Sequence, residues 1–307
     1  MTDTQPRNEK HHSISFKWNP DDFDDFLKSC ETDPATGYIL KYMPQEGIIL
    51  EAGCGLARFV QYLIDKGFEK VIGIELNTEA VSAVKALKPD LDLMCGDVSQ
   101  LSFADNSIAG IISLGVVEHF IEGPERPLQE MLRVLKPGGY AVVTVPYLNM
   151  LRQIKGVLPS RKLGSDIKRS AWRILMRKSS KYVATGDQPI PDTYQYRFKP
   201  WLVSGKFFEY RFTRREFEEE LKKVGFVLVE TVPIHTPYGI YLELSPVFVS
   251  FGKIRKFYPK ILVRLLNFLF WLVTSIFSRI PFTANHMLLY VVRKGCSEPD
   301  VSSFLIP

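Results

Sequence analysis

From about residue 46 to 146, short apolar runs alternate with stretches in which apolar residues recur every three to four positions. That rhythm marks strand–helix–strand units wound around a parallel sheet. Ile48–Leu50 predicts a first strand, followed by a glycine-containing turn and a helix over about Ala57–Lys66. Val71–Glu75 predicts a second strand, and Thr78–Leu87 a helix with Thr78 as its N-cap. Leu91–Cys95 reads as a short third strand, and Ile108–Leu114, apolar throughout, as a fourth that is buried on both faces. A helix over about Pro127–Leu135 runs into Lys136-Pro137-Gly138-Gly139, a stop signal, before a fifth strand over Tyr140–Val145. Beyond residue 150 the rhythm breaks. Residues 151–212 are basic, aromatic and irregular, with prolines at 159, 189, 191 and 200. Regularity returns with Thr213-Arg214-Arg215-Glu216, a capping-box pattern that opens a helix to about Val224, with Gly225 as C-cap. Two further strands, Phe226–Val232 and Met287–Arg293, enclose a second insertion, residues 234–285, whose centre is strongly apolar.

Composition narrows the class without naming it. With 307 residues, 46% hydrophobic and 24% charged, the chain is neither disordered nor collagenous, and it has ample length for one α/β domain with insertions. The four cysteines form no CxxC pair, so a disulfide framework and a structural metal site are both unexpected. The first residues lack an apolar core, so no secretory leader is expected and a cytoplasmic location is the default. The net charge of +5 conceals an asymmetry. Residues 1–150 carry 13 basic and 22 acidic residues, whereas residues 151–215 carry 16 and 4. The basic segment alone calls for an anionic partner.

The most informative stretch is Ile49-Leu50-Glu51-Ala52-Gly53-Cys54-Gly55-Leu56-Ala57-Arg58. Glycines just past a buried strand let the backbone turn tightly and bring ligand atoms against main-chain N–H groups. A dinucleotide fingerprint would place its third glycine at Arg58 and would not need an acid at position 51. Here Glu51 ends the strand directly before the glycines, where it suits a cationic amine better than a pyrophosphate.

This segment resembles motif I of class I S-adenosylmethionine-dependent methyltransferases, with Ala57 in place of the third glycine. Further matches follow in order: Glu75-Leu76 after the second strand, Cys95-Gly96-Asp97-Val98 after the third, Ser113-Leu114-Gly115-Val116-Val117-Glu118-His119 at the fourth, and Arg133–Gly139 before the fifth. The likeness covers about residues 40–147, plus the helix and two strands after 213. It implies a Rossmann-like seven-stranded sheet of the α/β class, last strand antiparallel, with two cap insertions. The division it implies is a helical cap at 1–45, a donor-binding core at 46–150, a basic aromatic lid at 151–212, a continuation of the core at 213–233, an apolar insertion at 234–285 and a last strand with tail at 286–307. S-adenosylmethionine is the implied methyl donor. Glu51, Gly53, Cys54, Gly55, Glu75, Leu76, Asp97, Val98 and Leu114 are the implied donor-binding residues, with Glu75 on the ribose hydroxyls and Asp97 on the adenine amine.

A base is needed only for an acceptor such as a hydroxyl. His119, just past the fourth strand, suits that role, and the alternative is that Glu118-His119 shapes the loop. Tyr147 and His235 lie at the same sheet edge and are weaker candidates, while His11 and His12 sit in a polar stretch. The acceptor should be chosen by the two insertions. Residues 151–212 interleave Arg and Lys with Trp172, Tyr182, Tyr194, Tyr196, Phe198 and Trp201, which fits an anionic, partly apolar substrate or a solvated basic face. Nucleic acid is disfavoured, because Leu114-Gly115-Val116-Val117 stands where base-methylating enzymes carry N/D-P-P-Y/F. Residues 261–277 hold one charge, Arg264, in 17 positions, fewer than a membrane span requires. An in-plane membrane helix, a buried helix and a homodimer contact are the three readings left open. The expectation is a methyltransferase acting on a lipophilic or lipid-linked acceptor, peripheral on the inner membrane face, with a soluble small-molecule enzyme and a non-catalytic donor-binding scaffold as alternatives.

Overall fold

The structure is a computed structural model that describes residues 14–16, 18–150, 152–153, 182–184, 198–203, 206–236, 268, 272, 275, 282 and 285–296. In chain order the strands are β1 (Ile14–Phe16), β2 (Ile48–Ala52), β3 (Lys70–Glu75), β4 (Asp92–Cys95), β5 (Ile108–Leu114), β6 (Leu135–Pro146), β7 (Tyr182–Ala184), β8 (Lys199–Val203), β9 (Lys206–Arg211), β10 (Phe226–Ile234) and β11 (Met287–Lys294). The helices are α1 (Phe23–Ser29), α2 (Thr36–Tyr42), α3 (Arg58–Asp65), α4 (Thr78–Leu87), α5 (Glu125–Val134) and α6 (Arg214–Val224).

Seven strands form one sheet in the order β10-β11-β6-β5-β2-β3-β4. β4 to β6 run parallel, and β11 is inserted antiparallel between β6 and β10. This is the Rossmann-like sheet expected from the sequence, with its last strand reversed. Uninterrupted apolar runs explain the centre. In β5, Ile111 packs into the layer carrying α5 and α6, and its neighbour Ile112 into the layer carrying α1 to α4, so both faces of the strand are covered.

Two local details differ from the sequence reading. The cap of α4 is Asn77, whose side chain accepts the Ala80 N–H at 3.1 Å, because its extended backbone lets the amide reach over the first turn. Thr78 is therefore the first helical residue. Lys136–Gly139 does end α5, yet β6 begins at once with Leu135. Pairing jumps from Ile108↔Leu135 to Gly110↔Tyr140, so the Pro–Gly–Gly stretch bulges out of the ladder.

After β4 the chain crosses the sheet to place β5 on the other side of β2. The crevice above the carboxyl ends of β2 and β5 is thus the topological switch point, where open α/β sheets bind ligands. β8 and β9 form an antiparallel hairpin, and β1 pairs with β7.

Candidate donor and acceptor site

The loop leaving β2 turns on three left-handed residues, Gly53 (φ +83), Gly55 (φ +55) and Ala57 (φ +58). The N–H groups of Gly53 and Cys54 both donate to the Ile74 carbonyl at 2.8 Å, tying the loop to the end of β3. A Cβ added to Gly53 would lie 2.5 Å from Val116, so only glycine lets this loop touch the turn after β5. Ala57 accepts the left-handed conformation at a cost of about 1–2 kcal/mol, and its buried methyl packs in the α3 layer.

Three carboxylates line the row of strand ends. Glu51 is buried beneath the loop, where its Oε2 accepts the Val60 N–H at 3.1 Å. Burial pushes its carboxyl up to about 8, opposed by the Arg58 guanidinium and the Val60 hydrogen bond, with Glu75 adding to the rise. Glu75 accepts the Gly55 N–H on Oε2 at 2.9 Å and the Asn77 N–H on Oε1 at 3.0 Å. Each of its oxygens keeps a second lone pair for a ligand donor. Gly96 N–H donates to the Glu75 carbonyl at 3.0 Å, which brings the β4 end alongside. There the Oδ1 of Asp97 accepts the Ser99 N–H at 2.7 Å. Leu76 is exposed beside these groups, Val98 and Cys54 are buried, and Leu114 is half-buried at the end of β5. Burial also holds the Cys54 thiol well above its ordinary value, so it stays protonated. Among the described residues, no group of three His, Cys, Asp or Glu side chains could hold a metal ion.

His119 lies in a short 3-10 turn, Val117–His119, beyond β5. Its Nδ1 is 2.8 Å from the Phe208 carbonyl of β9, and its ring packs edge-on against the Phe208 ring at 5.3 Å. A carbonyl only accepts, so Nδ1 carries the hydrogen and Nε2 of the neutral ring carries the lone pair. Nε2 is 4.0 Å from Oε1 of Glu118, which is 1% exposed. Burial holds the Glu118 carboxyl well above the carboxylate range, with Glu209 of β9 adding to the rise.

Comparison with known proteins identifies the domain at the centre of the chain. A family model described as "Methyltransferase domain" matches residues 50–143. A probable S-adenosylmethionine-dependent methyltransferase of Mycolicibacterium smegmatis is 32% identical over 98 residues, 32% of this chain and 37% of that protein. Residues 50–143 form a class I S-adenosylmethionine-dependent methyltransferase domain. A demethylmenaquinone methyltransferase of Renibacterium salmoninarum is 34% identical to this chain over 96 residues, covering 31% of the chain and 39% of the relative. The chain thus spans under two fifths of the length of each of these relatives. An S-adenosylmethionine-dependent methyltransferase from Mesorhizobium loti shares the fold, with a TM-score of 0.50, 15% identity, and coverage of 86% of this chain and all of the other.

S-adenosylmethionine is the donor of this domain class, and the methyltransferase domain has the donor set for it. It offers a loop of left-handed glycines after β2, and carboxylates at or just past the ends of β2, β3 and β4 that can accept from hydrogen-bond donors of a ligand. The structure brings Glu51, Gly53, Cys54, Gly55, Glu75, Leu76, Asp97, Val98 and Leu114 onto adjacent strand ends, with His119 one turn beyond. Tyr147 and His235 follow β6 and β10, and burial pushes the Tyr147 hydroxyl up and the His235 ring down. Phe198 is buried core, edge-on to Phe212 at 4.9 Å, rather than part of a lid. Trp172, Tyr194, Tyr196, His11 and His12 lie outside the described residues. Trp18, which packs on Gly55, and Phe208 are the contacts that sequence reading missed. Only the aromatic residue before the Asn19-Pro20 helix start hinted at Trp18, and a backbone carbonyl such as that of Phe208 leaves no trace in sequence.

Proposed function

We propose that the chain transfers the methyl group of S-adenosylmethionine to a lipophilic or lipid-linked acceptor. The observation that carries the transfer is the row Glu51–Gly53–Gly55–Glu75–Asp97, gathered at the switch point from three strand ends. The sulfonium donor supplies its own leaving group, so the chain's residues bind, orient and exclude water. Glu75 holds the ribose hydroxyls, Asp97 the adenine amine and Glu51 the ammonium. His119, its tautomer set by the Phe208 carbonyl, receives the proton of a hydroxyl acceptor on Nε2.

Two observations support a lipophilic acceptor. Phe268 and Leu272 are helical, exposed and one turn apart within the apolar run 261–277. A helix face of this kind, flanked by Lys253, Arg255, Lys256, Lys260 and Arg279, suits an anionic membrane surface. No helix among the described residues is long and apolar enough to cross a membrane. The partial likeness to demethylmenaquinone methyltransferases points the same way.

Calorimetry of Glu75→Ala tests the donor site. Losing a charge-assisted pair weakens donor affinity by roughly 10- to 150-fold in a folded protein, and unchanged affinity removes Glu75 from the site. His119→Gln tests the proton acceptor: turnover on a hydroxyl acceptor falls about 10²- to 10⁴-fold with donor affinity intact. An equal loss of donor binding assigns His119 to shaping the loop. The acceptor itself is found by mass spectrometry of a lipid extract incubated with enzyme and labelled donor.

A further inference from the structure

Beside His119 stands a second group able to handle a proton. Glu118, in the same 3-10 turn beyond β5, is 1% exposed, and its Oε2 has no hydrogen-bond partner among the described residues. Its Oε1 lies against the turn that leaves β5, 3.5 Å from where a Cβ on Gly115 would stand. From β9 it is faced by Glu209, an acid already paired with Arg211 at 3.1 Å. An ionised carboxylate with one oxygen stripped of every donor is untenable at such burial, whereas a neutral acid tolerates it on its carbonyl oxygen. Glu118 is therefore an O–H donor. Its Oε1 is 4.0 Å from Nε2 of His119, too far for a direct hydrogen bond. One oxygen atom placed between them, about 2.8 Å from each, would complete both contacts at an angle of about 90°. Glu118 donates to that atom, and the imidazole nitrogen that the Phe208 carbonyl leaves as acceptor takes its hydrogen. A hydroxyl answers both at once: its hydrogen goes to Nε2, one lone pair receives the Glu118 O–H, and a second lone pair remains for a methyl group. A neutral amine has one lone pair and an ammonium has none, so neither fits as nucleophile.

We infer that Glu118 is an acceptor-binding residue that brackets a hydroxyl oxygen together with His119, so that the atom methylated is oxygen. In the transfer the O–CH3 bond forms as the CH3–S bond breaks. The sulfur keeps the electron pair and leaves as a neutral thioether, and the hydroxyl proton passes to Nε2 of His119. Glu118 keeps its own proton throughout. The inference rests on the reading of His119 as proton acceptor, and deepens it by naming the reacting atom and the second group that holds it.

The test has two arms, both on the full chain. Infrared difference spectra of wild type against Glu118→Gln at neutral pH read the proton directly: wild type should show a carboxylic-acid C=O band that the variant lacks, and absence of that band overturns the inference. The second arm gives labelled S-adenosylmethionine to wild type, Glu118→Gln, Glu118→Leu and His119→Gln, with a melting curve and a donor titration for each. The acceptors supplied are a lipid extract and a matched pair of probes, octylphenol and octylaniline. The expected product carries its label on oxygen, and octylphenol is methylated in preference to octylaniline. Glu118→Leu should lower kcat/KM for the oxygen acceptor about 5- to 100-fold with donor affinity intact, whereas Glu118→Gln, whose amide still donates, keeps most of it. Label on nitrogen or carbon, or a folded Glu118→Leu with full activity, overturns the inference. Should Glu118→Leu fail to fold, the position of the label and the infrared band still decide. His119→Gln with full turnover refutes the reading of His119 instead, an outcome separate from that of Glu118→Leu. Wild type that binds the donor and labels nothing refutes the transfer itself, and the inference with it.

Discussion

Glu51 ties folding to donor capture through a single proton. Its carboxyl sits near 8 in the folded chain and near 4.5 when exposed. Between those values the folded state therefore holds a proton that the unfolded state has released. Stability should fall as pH rises from about 4.5 to 8 and level off above. Glu51→Gln removes this dependence. It should melt close to wild type at pH 5 and be more stable by on the order of a few kcal/mol at pH 8.5, a gain that thermal scans at the two pH values measure. If the donor ammonium meets this carboxyl, binding expels its proton near neutrality. The calorimetric enthalpy should then vary with the ionisation heat of the buffer in wild type and not in Glu51→Gln. The position of Glu51 before two glycines was legible in the sequence. The burial that shifts it was not, because it depends on α3 folding back to present the Val60 N–H.

At the level of elements, legibility follows locality. The capping box of α6 is spelled out by Thr213 and Glu216, and both reciprocal hydrogen bonds form, with Gly225 closing the other end at φ +111. Thr213→Ala should cost about 1 kcal/mol, read as a small drop in melting temperature with donor affinity unchanged. The hairpin β8–β9 left no comparable mark. Its Phe207 and Tyr210, together with the flanking Phe198 and Phe212, pack in the core beside Phe217 of α6 and Tyr290 of β11. Aromatic side chains set among Arg and Lys read equally well as core or as substrate cover, and only the distant partners decide. The same ambiguity surrounds the apolar run 261–277. Phe268→Ser should reduce co-sedimentation with anionic vesicles, more so at high salt, with the melting temperature preserved. Wild type that stays in the supernatant at every salt concentration removes the membrane reading.

On the scale of the whole molecule, the sheet sets both stability and the geography of function. Backbone amides of β2, β3, β5, β6 and β11, flanked on both sides by other strands, should exchange with solvent most slowly, and those of the edge strands β4 and β10 faster. A hydrogen-exchange profile in which β11 opens with the edges would show that the reversed strand is an appendage. The reversed strand has another consequence. Ile234 at the end of β10 pairs with Met287 at the start of β11, and Met287 pairs in turn with Pro146 at the end of β6. The chain that departs after β6 returns to the same corner, where Tyr147 bridges Phe212. Both excursions therefore leave and rejoin the sheet at neighbouring points on one edge, as a ring closes on its clasp. The second excursion, between Ile234 and Met287, can be exchanged like a cassette without rethreading a strand, whereas the first carries β8 and β9 into the core. A lineage could retune what is methylated while the machinery that holds the donor stays untouched, and an engineer could graft one enzyme's excursion onto another's sheet at Ile234 and Met287.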